Sequence, residues 1–216
     1  MKVALIGATG YVGSHILEEL VSRNIEVTAI ARDVEELKNK DHVLAVQVDI
    51  NEEGRLASAL KGNDAVISAY NAGWGNPNIY DDFLVGGRNI LEAVKDAGIK
   101  RLIIVGGAGS LKVENDERLV DTAGFPGEIK PGALAAADYL EVVKREDELD
   151  WTFFSPSIEM NPGNPGTRTG AYRTAIGHPV FNHEGRSIIS VEDVAVAIVD
   201  ELENNQFIKK HFSAGY

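Results

Sequence analysis

The chain contains no cysteine. It can therefore form no disulfide, offer no thiolate nucleophile and build no zinc site on sulfur. Its histidines are scattered, and the two nearest, His178 and His183, are separated by Pro179 and Asn182 in a spacing that matches no recognised metal motif. We expect no bound metal.

Basic residues are also scarce. Lysine and arginine total 21 against 33 for aspartate and glutamate, so the net charge is -12, and no basic run interrupts this balance. Nucleic acid and anionic membranes are therefore not expected as partners. No apolar run approaches about eighteen residues and no basic region precedes an apolar stretch, so neither a membrane span nor a secretion signal is predicted. We expect a cytoplasmic protein, monomeric or homodimeric, with a small-molecule substrate.

What the sequence does contain is an alternation of short β-branched runs with helical segments. Its 216 residues, 44% of them hydrophobic, suffice for one sizeable core, and we expect 1–216 to form a single domain. The predicted strands are 3–6, 26–30, 44–48, 65–68, 102–105 and 151–154, and the predicted helices are 11–23, 34–39, 53–61, 78–97 and 134–147. This order is typical of an α/β fold with helices on both faces of a doubly wound parallel sheet, in three layers.

The chain changes in character after the sixth predicted strand. The stretch 161–166 is too rich in proline and glycine for a regular element. We expect 155–189 to form a loop or lid in a small C-terminal lobe on the substrate side. Ser190 then predicts a helix start, because Asp193 stands three residues further on and apolar positions follow at helical spacing.

A glycine-rich turn follows the first predicted strand directly. Gly7, Gly10 and Gly13 occupy its first, fourth and seventh positions, and an amphipathic helix follows. Such glycines let the backbone turn sharply and approach a pyrophosphate, while the helix N-terminus presents free N–H groups to the anion. Because the spacing is GxxGxxG rather than GxGxxG, the motif alone is weak. Its position between strand and helix predicts a phosphate-bearing dinucleotide.

The end of the second predicted strand bears on which dinucleotide fits. A carboxylate there would bond the adenosine ribose and repel a 2′-phosphate, whereas a small residue followed by arginine accommodates that phosphate. The pair Ala31-Arg32 therefore favours NADP(H), and the adjacent Asp33 keeps NAD(H) as the alternative. At the end of the third strand, Asp49 either accepts from the adenine amine or caps a helix, and Ile50 packs on the ring.

Loops after the next two strands lie where parallel sheets bind ligands. One begins at Ala69-Tyr70 and the other at Gly106-Gly107, whose glycines keep the backbone open to a nicotinamide ribose. Ser110 either donates a hydrogen bond to a substrate carbonyl or serves only as a turn residue. Further along, Tyr172 lies among arginines that either hold an anionic or aromatic substrate or pair with the protein's own acids.

The stretches 7–13, 31–32, 49–50, 106–107 and 155–156 resemble the short-chain dehydrogenase/reductase superfamily, in particular its atypical NAD(P)H-binding branch. That branch includes NmrA-like sensors, flavin and biliverdin reductases and proteins labelled NAD-dependent epimerase/dehydratase, and the resemblance covers nearly the whole chain. It implies a Rossmann-type sheet and an NADP(H) cofactor. The residues that it implies for cofactor binding are Gly7, Thr9, Gly10, Tyr11, Val12, Gly13, Arg32, Asp49, Ile50, Ala69, Tyr70, Gly106, Gly107, Ser155, Pro156 and Ser157.

The catalytic pair of that superfamily is absent. Its members use a tyrosine and a lysine spaced YxxxK as acid and base, but no tyrosine here precedes a lysine by four residues, and Tyr139 and Lys144 are five apart. This argues against nucleotide-sugar epimerase or dehydratase chemistry. It argues less against reduction of a planar acceptor such as a flavin, quinone or tetrapyrrole, for which solvent can supply the proton.

The remaining candidates for catalysis are the hydroxyls of Ser110, Tyr139 and Tyr172. With these, the sequence predicts an NAD(P)H-dependent oxidoreductase. The rival hypothesis is a redox sensor that binds the dinucleotide without turnover, because fold-level analogy alone does not separate the two.

Overall fold

The computed structural model describes residues 1–38 and 40–216. Within them, one sheet contains the strands β1 (Lys2–Ile6), β2 (Glu26–Ala31), β3 (Val43–Gln47), β4 (Ala65–Ser68), β5 (Arg101–Val105), β6 (Asp150–Ser155), β7 (Arg173–Ile176) and β8 (Lys210–Gly215). Their order across the sheet is β3-β2-β1-β4-β5-β6-β8-β7. Neighbouring strands are parallel except β7 and β8, which pair antiparallel at one edge.

Helices cover both faces of this sheet. They are α1 (Tyr11–Ser22), α2 (Glu53–Leu60), α3 (Ile79–Asp96), α4 (Lys130–Val143) and α5 (Val191–Asn204). The first and last pack together on one face, and the other three pack side by side on the opposite face. This arrangement confirms the predicted three-layer, doubly wound α/β fold. Within the part of the chain that the structure describes, no helix is both long and apolar enough to cross a bilayer.

Burial on two sides explains why the central strands are continuously apolar. Successive side chains of a strand point to opposite faces of the sheet. In β1, Val3 and Leu5 enter the core beneath α1 and α5, whereas Ala4 and Ile6 enter the core beneath α2, α3 and α4. Each core therefore takes alternate residues from one short run, and the carboxyl ends of the strands are left at a common edge.

Two predicted helices differ from the observed ones by more than one residue at an end. The segment 34–39 contains only a single 3-10 turn at Glu35–Leu37, and its last predicted residue lies outside the described residues. The helix predicted at 134–147 is α4, which begins and ends four residues earlier. It starts earlier because Pro131 falls in its first turn, where a missing N–H costs no helical hydrogen bond.

The C-terminal part contains two strands that the sequence did not predict. β7 lies within the predicted loop 155–189, where its mostly exposed residues form the sheet edge, and β8 follows α5. β8 is buried over most of its length, but its small and polar residues do not form the apolar pattern that predicts a strand. The predicted start of α5 is confirmed, since Ser190 Oγ accepts from Asp193 N at 3.0 Å.

Candidate functional site

The turn between β1 and α1 has a conformation that requires glycine. Gly7 has a φ of +80°, and a Cβ there would lie 2.7 Å from Ala69 O. A Cβ at Gly13 would lie 2.0 Å from Gly7 O. Gly10 stands at the N-cap of α1, where no side chain caps the helix. The backbone is thus tightly folded, and the first-turn N–H groups of α1 remain available to an anion.

A cavity of about 350 Å³ opens beside this turn, at the carboxyl ends of β1, β2, β3 and β4. The predicted cofactor-binding residues that line it are Gly7, Thr9, Gly10, Arg32, Asp49, Ile50, Ala69 and Tyr70. The rest of its wall is formed by Ile6, Ile30, Ala31, Val48, Asn51, Asn71, Ala72, Asn76, Asp82 and Val85. Its volume falls within the range of small-molecule sites.

Arg32 lies at the exposed rim of the cavity, directly after β2. Its backbone carbonyl accepts from Gln47 Nε2 at 2.8 Å, which fixes the main chain. Among the side chains that the structure describes, none makes an ion pair or hydrogen bond with its guanidinium. The neighbouring Asp33 is engaged locally, because its Oδ1 accepts from Glu35 N at 3.0 Å. The guanidinium of Arg32 therefore lies at the cavity rim, whereas one carboxylate oxygen of Asp33 is used by the backbone of Glu35.

The opposite wall combines Asp49 and Ile50 with Tyr70. Asp49 Oδ1 accepts from Asn51 N at 2.9 Å, so one carboxylate oxygen holds a turn ahead of α2. The Tyr70 hydroxyl donates to the carbonyl of Asp82 at 3.0 Å. Burial, aided by the acidic side chains of Asp82 and Asp49, raises the pKa of Tyr70 to about 12. Its phenol is therefore a neutral wall group and a poor proton donor near pH 7.

The remaining predicted cofactor-binding residues do not line this cavity. They are Tyr11, Val12 and Gly13 in the first turn of α1, Gly106 and Gly107 after β5, and Ser155, Pro156 and Ser157 at the end of β6. Since β5 and β6 continue the sheet beyond β4, their carboxyl ends lie along the same edge as the cavity. Ser157 is fixed there, because its hydroxyl donates to Ala214 O at 2.8 Å.

Ser110 lies under the same edge in a buried polar cluster. Its Oγ is 2.8 Å from Ser155 Oγ and 3.3 Å from Nε2 of His211, a residue of β8. The Ser110 side chain is almost completely buried. Among the described residues, no group of three or more His, Asp or Glu side chains is arranged to hold a metal ion.

The structure does not bring Tyr139 and Tyr172 to the cavity. Tyr139 is buried beneath α3, where its hydroxyl donates to Gly87 O at 2.7 Å. It fits because Gly87 lacks a side chain, whose Cβ would lie 2.6 Å from the tyrosine ring. Tyr172 donates to Asp200 Oδ2 at 2.5 Å on the face of α5. Burial raises the pKa of both phenols, and each proton is already committed inside the protein.

Sequence reasoning missed the contribution of α3 to the cavity. A Cβ at Gly86 would lie 2.4 Å from Ile50 Cδ1 and 2.6 Å from the Tyr70 ring. Gly86 therefore makes room for two residues of the cavity wall. The available signal was the pair Gly86-Gly87 inside a strongly amphipathic helix, where each glycine costs about 1 kcal/mol relative to alanine and so requires a reason.

Comparison with known proteins assigns the chain to a family. Residues 7–205 match the family model described as NAD(P)H-binding. The chain is 37% identical to the uncharacterized protein YwnB of Bacillus subtilis, over 99% of this chain and 97% of that protein. It is also similar to a solved protein from Bacteroides thetaiotaomicron that is provisionally named an epimerase (40% identity, TM-score 0.91, 100% and 96% of the two chains).

The name of a third relative includes a reaction. A solved protein from Streptococcus pneumoniae, provisionally named an NADH-flavin reductase, is 37% identical, with a TM-score of 0.83 over 100% of this chain and 99% of that one. These relatives share the whole length of the chain, and the family match spans both the glycine-rich turn and α5. The chain belongs to the NAD(P)H-binding family.

Proposed function

We propose that the protein is a reductase that prefers NADPH and passes hydride to a planar acceptor such as a flavin, quinone or tetrapyrrole. One observation carries this proposal. The guanidinium of Arg32, without a partner among the described residues, lies at the rim of a cavity that the glycine-rich turn borders. An arginine in this position suits the 2′-phosphate that distinguishes NADPH from NADH.

The groups around the cavity match the parts of such a cofactor. The uncapped N-terminus of α1 suits a pyrophosphate, and the bare backbone at Gly7 and Gly13 allows its close approach. Asp49 keeps one oxygen for an adenine amine. Asp33 Oδ1 accepts from Glu35 N, and its other oxygen keeps NADH as the alternative cofactor. When bound, the cofactor supplies the hydride.

The small number of groups that can act as acid or base favours a planar acceptor. Reduction of a polarised ring needs one proton, whereas epimerase or dehydratase chemistry needs a base on a hydroxyl. The hydroxyls of Tyr139 and Tyr172 lie away from the cavity and the sheet edge, so we leave them out of the proposal and assign the donor role to Ser110, which follows β5 at that edge. The name of the Streptococcus pneumoniae relative supports flavin as the first acceptor to try.

A redox sensor is the second candidate. The observation that favours it is the same commitment of both tyrosines, which leaves one nearly buried serine hydroxyl near the ends of β5 and β6. A sensor would bind NADPH without consuming it. We also propose a cytoplasmic location and a monomeric or homodimeric state, in keeping with a net charge of -12 and the lack of cysteine.

The deciding experiment measures binding and turnover separately. NADPH and NADH are titrated by fluorescence, and loss of NADPH absorbance is followed after adding FMN, a quinone or biliverdin. The reductase proposal expects micromolar or tighter NADPH binding and turnover with at least one acceptor. Binding without turnover supports the sensor, and absence of binding rejects both.

A matched variant controls for non-specific reduction. Thr9 is exposed and lines the cavity beside the N-terminus of α1. Thr9→Glu places a carboxylate where the pyrophosphate is expected and should abolish NADPH binding by charge repulsion, without filling the core. If Thr9→Glu binds NADPH as tightly as the parent protein, the dinucleotide lies elsewhere.

A further inference from the structure

A polar cluster beneath the carboxyl ends of β5 and β6 joins three side chains from three parts of the chain. Ser155 Oγ lies 2.8 Å from Ser110 Oγ and 2.9 Å from His211 Nε2. Ser110 Oγ also lies 2.9 Å from Gly107 O. Both serine side chains are buried, so their hydroxyl protons must be used within the cluster or at whatever binds beside it.

The sheet register produces this meeting. His211 in β8 pairs with Phe153 in β6, and Ser155 lies two residues further along on the same face. The short 3-10 helix that contains Ser110 follows β5 and closes over them. The cluster therefore lies beneath the carboxyl ends of β5 and β6, next along the edge from the cavity that β1 to β4 form.

The hydrogen bonds of the cluster can run in either of two directions, as a count of its protons shows. Each hydroxyl carries one proton, and a neutral imidazole carries one proton on either nitrogen. If Nε2 of His211 is bare, Ser155 donates to it and Ser110 can donate to Ser155. If Nε2 carries the proton, His211 donates to Ser155 and Ser155 donates to Ser110. The proton of Ser110 then turns to Gly107 O, or to an acceptor atom that takes this position.

The surroundings keep His211 uncharged near pH 7. Burial lowers its pKa to about 4, with Lys144 of α4 and His178 of the loop after β7 acting in the same direction and Glu141 of α4 opposing them. The edge of the Phe153 ring packs against the imidazole at 5.6 Å between centroids. The choice between the two directions is therefore a choice of tautomer, not of charge.

We propose that His211 is a positioning residue that, through Ser155, aims the hydroxyl proton of Ser110 at the hydride acceptor. This rests on the reductase function proposed above, and it provides the proton route that the missing YxxxK pair leaves open. Nδ1 of His211 has no hydrogen bond to any of the described residues, so no partner there fixes the tautomer of the ring.

The step balances with the cofactor as reductant. The acceptor gains a hydride, and NADPH is oxidised to NADP⁺. Ser110 gives its hydroxyl proton to the reduced acceptor and takes a proton from solvent once the product has left. Nε2–H of His211 keeps donating to Ser155, and Ser155 to Ser110, throughout, so the protein returns to its starting charge and tautomer and one solvent proton is consumed.

The test compares two substitutions of His211. His211→Leu removes both nitrogens, whereas His211→Gln keeps an amide near the position of Nε2 that can donate or accept. With FMN as acceptor, we expect kcat to fall by about 100-fold in His211→Leu, at the low end of what positioned acid–base groups contribute. NADPH affinity should change by less than about twofold, and His211→Gln should recover most of kcat. His183→Leu, at a side chain that is 90% exposed, is the surface control.

Two results would overturn the positioning role. One is an unchanged kcat in His211→Leu. The other is an equal loss in both variants together with weakened NADPH binding, which is what damage to the fold would produce. If His211→Leu does not fold, Ser155→Ala breaks the same chain with a smaller change in volume and should give the same loss of kcat.

A measurement without turnover separates this inference from the reductase proposal. Nitrogen NMR of labelled protein reports which nitrogen of His211 is protonated. We expect a measurable Nε2–H tautomer that rises when NADPH is bound, even if FMN, a quinone and biliverdin all fail as acceptors. A signal from the Nδ1–H tautomer alone, with and without NADPH, would reject the proton route whatever the activity.

Discussion

The phenol of Tyr216 donates a hydrogen bond of 2.6 Å to Oδ2 of Asp193, a fully buried carboxylate in the first turn of α5. The same carboxylate accepts from the N–H groups of Thr169 and Gly170 at 2.7 and 2.8 Å and from the Thr169 hydroxyl at 2.8 Å. One buried charge therefore ties α5, the residue after β8 and the segment predicted as a lid to one another. A buried charge with this many donors is strongly stabilised, provided that it stays ionised.

We expect Asp193→Asn to lower the free energy of unfolding by about 2 to 4 kcal/mol, because hydrogen bonds to a charged group contribute about 1.5 to 3 kcal/mol each. Urea unfolding measures the loss. Asp116→Asn removes a carboxylate whose side chain is 70% exposed and should leave the urea midpoint nearly unchanged. Equal losses in the two variants would contradict the role of Asp193.

The same carboxylate predicts a loss of stability in acid. Burial alone would raise its pKa, but hydrogen bonds from Tyr216, Thr169 and Gly170 outweigh burial and lower the pKa below the ordinary value of 3.8. Because the folded-state pKa is depressed, the stabilisation is complete above the unfolded-state pKa. It is lost as pH falls through the folded-state pKa. The difference in urea midpoint between the parent protein and Asp193→Asn should therefore shrink below about pH 4. A difference that stays constant down to pH 2 would show that the carboxylate is not the cause.

Arg32→Ala tests the choice of cofactor. Removing a charged hydrogen bond to a 2′-phosphate should weaken NADPH binding by about 1.5 to 3 kcal/mol, or roughly 10- to 150-fold, and leave NADH binding nearly unchanged. Fluorescence titration with both cofactors gives the ratio of the two affinities. Arg88→Ala, at an exposed arginine of α3 that does not line the cavity, is the matched control. An unchanged ratio in Arg32→Ala would move the 2′-phosphate site elsewhere.

Gly86→Ala tests the wall that α3 gives to the cavity. The new Cβ would lie within 2.6 Å of both Ile50 and Tyr70, so these side chains must shift toward the cavity. We expect a stability loss of about 1 to 3 kcal/mol from overpacking, together with weaker NADPH binding. Gly54→Ala, in α2 with open space around its Cβ, should instead stabilise the protein by about 0.5 to 1 kcal/mol. Unchanged NADPH binding in Gly86→Ala would separate this wall from the cofactor site.

The strands that can be predicted from the local sequence pattern are those that are buried on both faces of the sheet. β1 is apolar throughout because it feeds two cores, and this signal is visible in the sequence. β8 carries no such signal, since buried Ser213 is satisfied by donating to His178 O and Gly215 packs against Val180. A polar residue can lie in a buried strand when a distant partner accepts its hydrogen bond, but the sequence alone then predicts a loop.

The same division applies to the site. Gly7 and Arg32 directly follow strands and Asp49 follows β3 by two residues, so their place at the sheet edge follows from the order of elements. Gly86 and His211 act across packed elements that lie far apart in sequence, and a single sequence records no such pairing. Tyr139 was predicted as a catalytic candidate, but its side chain packs against α3 instead. Gly87 leaves room for the ring there, and its carbonyl accepts the tyrosine hydroxyl.

The ion pair between Arg101 and Glu201 provides a last prediction, which concerns the edge of the sheet opposite to the cavity, where β5 begins. Nη2 of Arg101 lies 2.5 Å from Oε1 of Glu201, and the two side chains are only 11% and 1% exposed. Thr152 Oγ1 donates to Glu201 Oε1 at 2.9 Å. Burial lowers the pKa of Arg101, so its charge is retained at the expense of stability and depends on Glu201.

Glu201→Gln should therefore destabilise the protein by about 3 to 5 kcal/mol, since it leaves a buried guanidinium without its counter-charge. Glu141→Gln breaks the exposed pair with Lys144 and should cost less than about 1 kcal/mol, which makes it the matched control. Urea unfolding of both variants gives the comparison. Because Glu201 lies away from the cavity, NADPH affinity per folded molecule should be unchanged in Glu201→Gln. A loss of affinity without a loss of stability would mean instead that β5 transmits the state of this ion pair to Gly106-Gly107 at its carboxyl end.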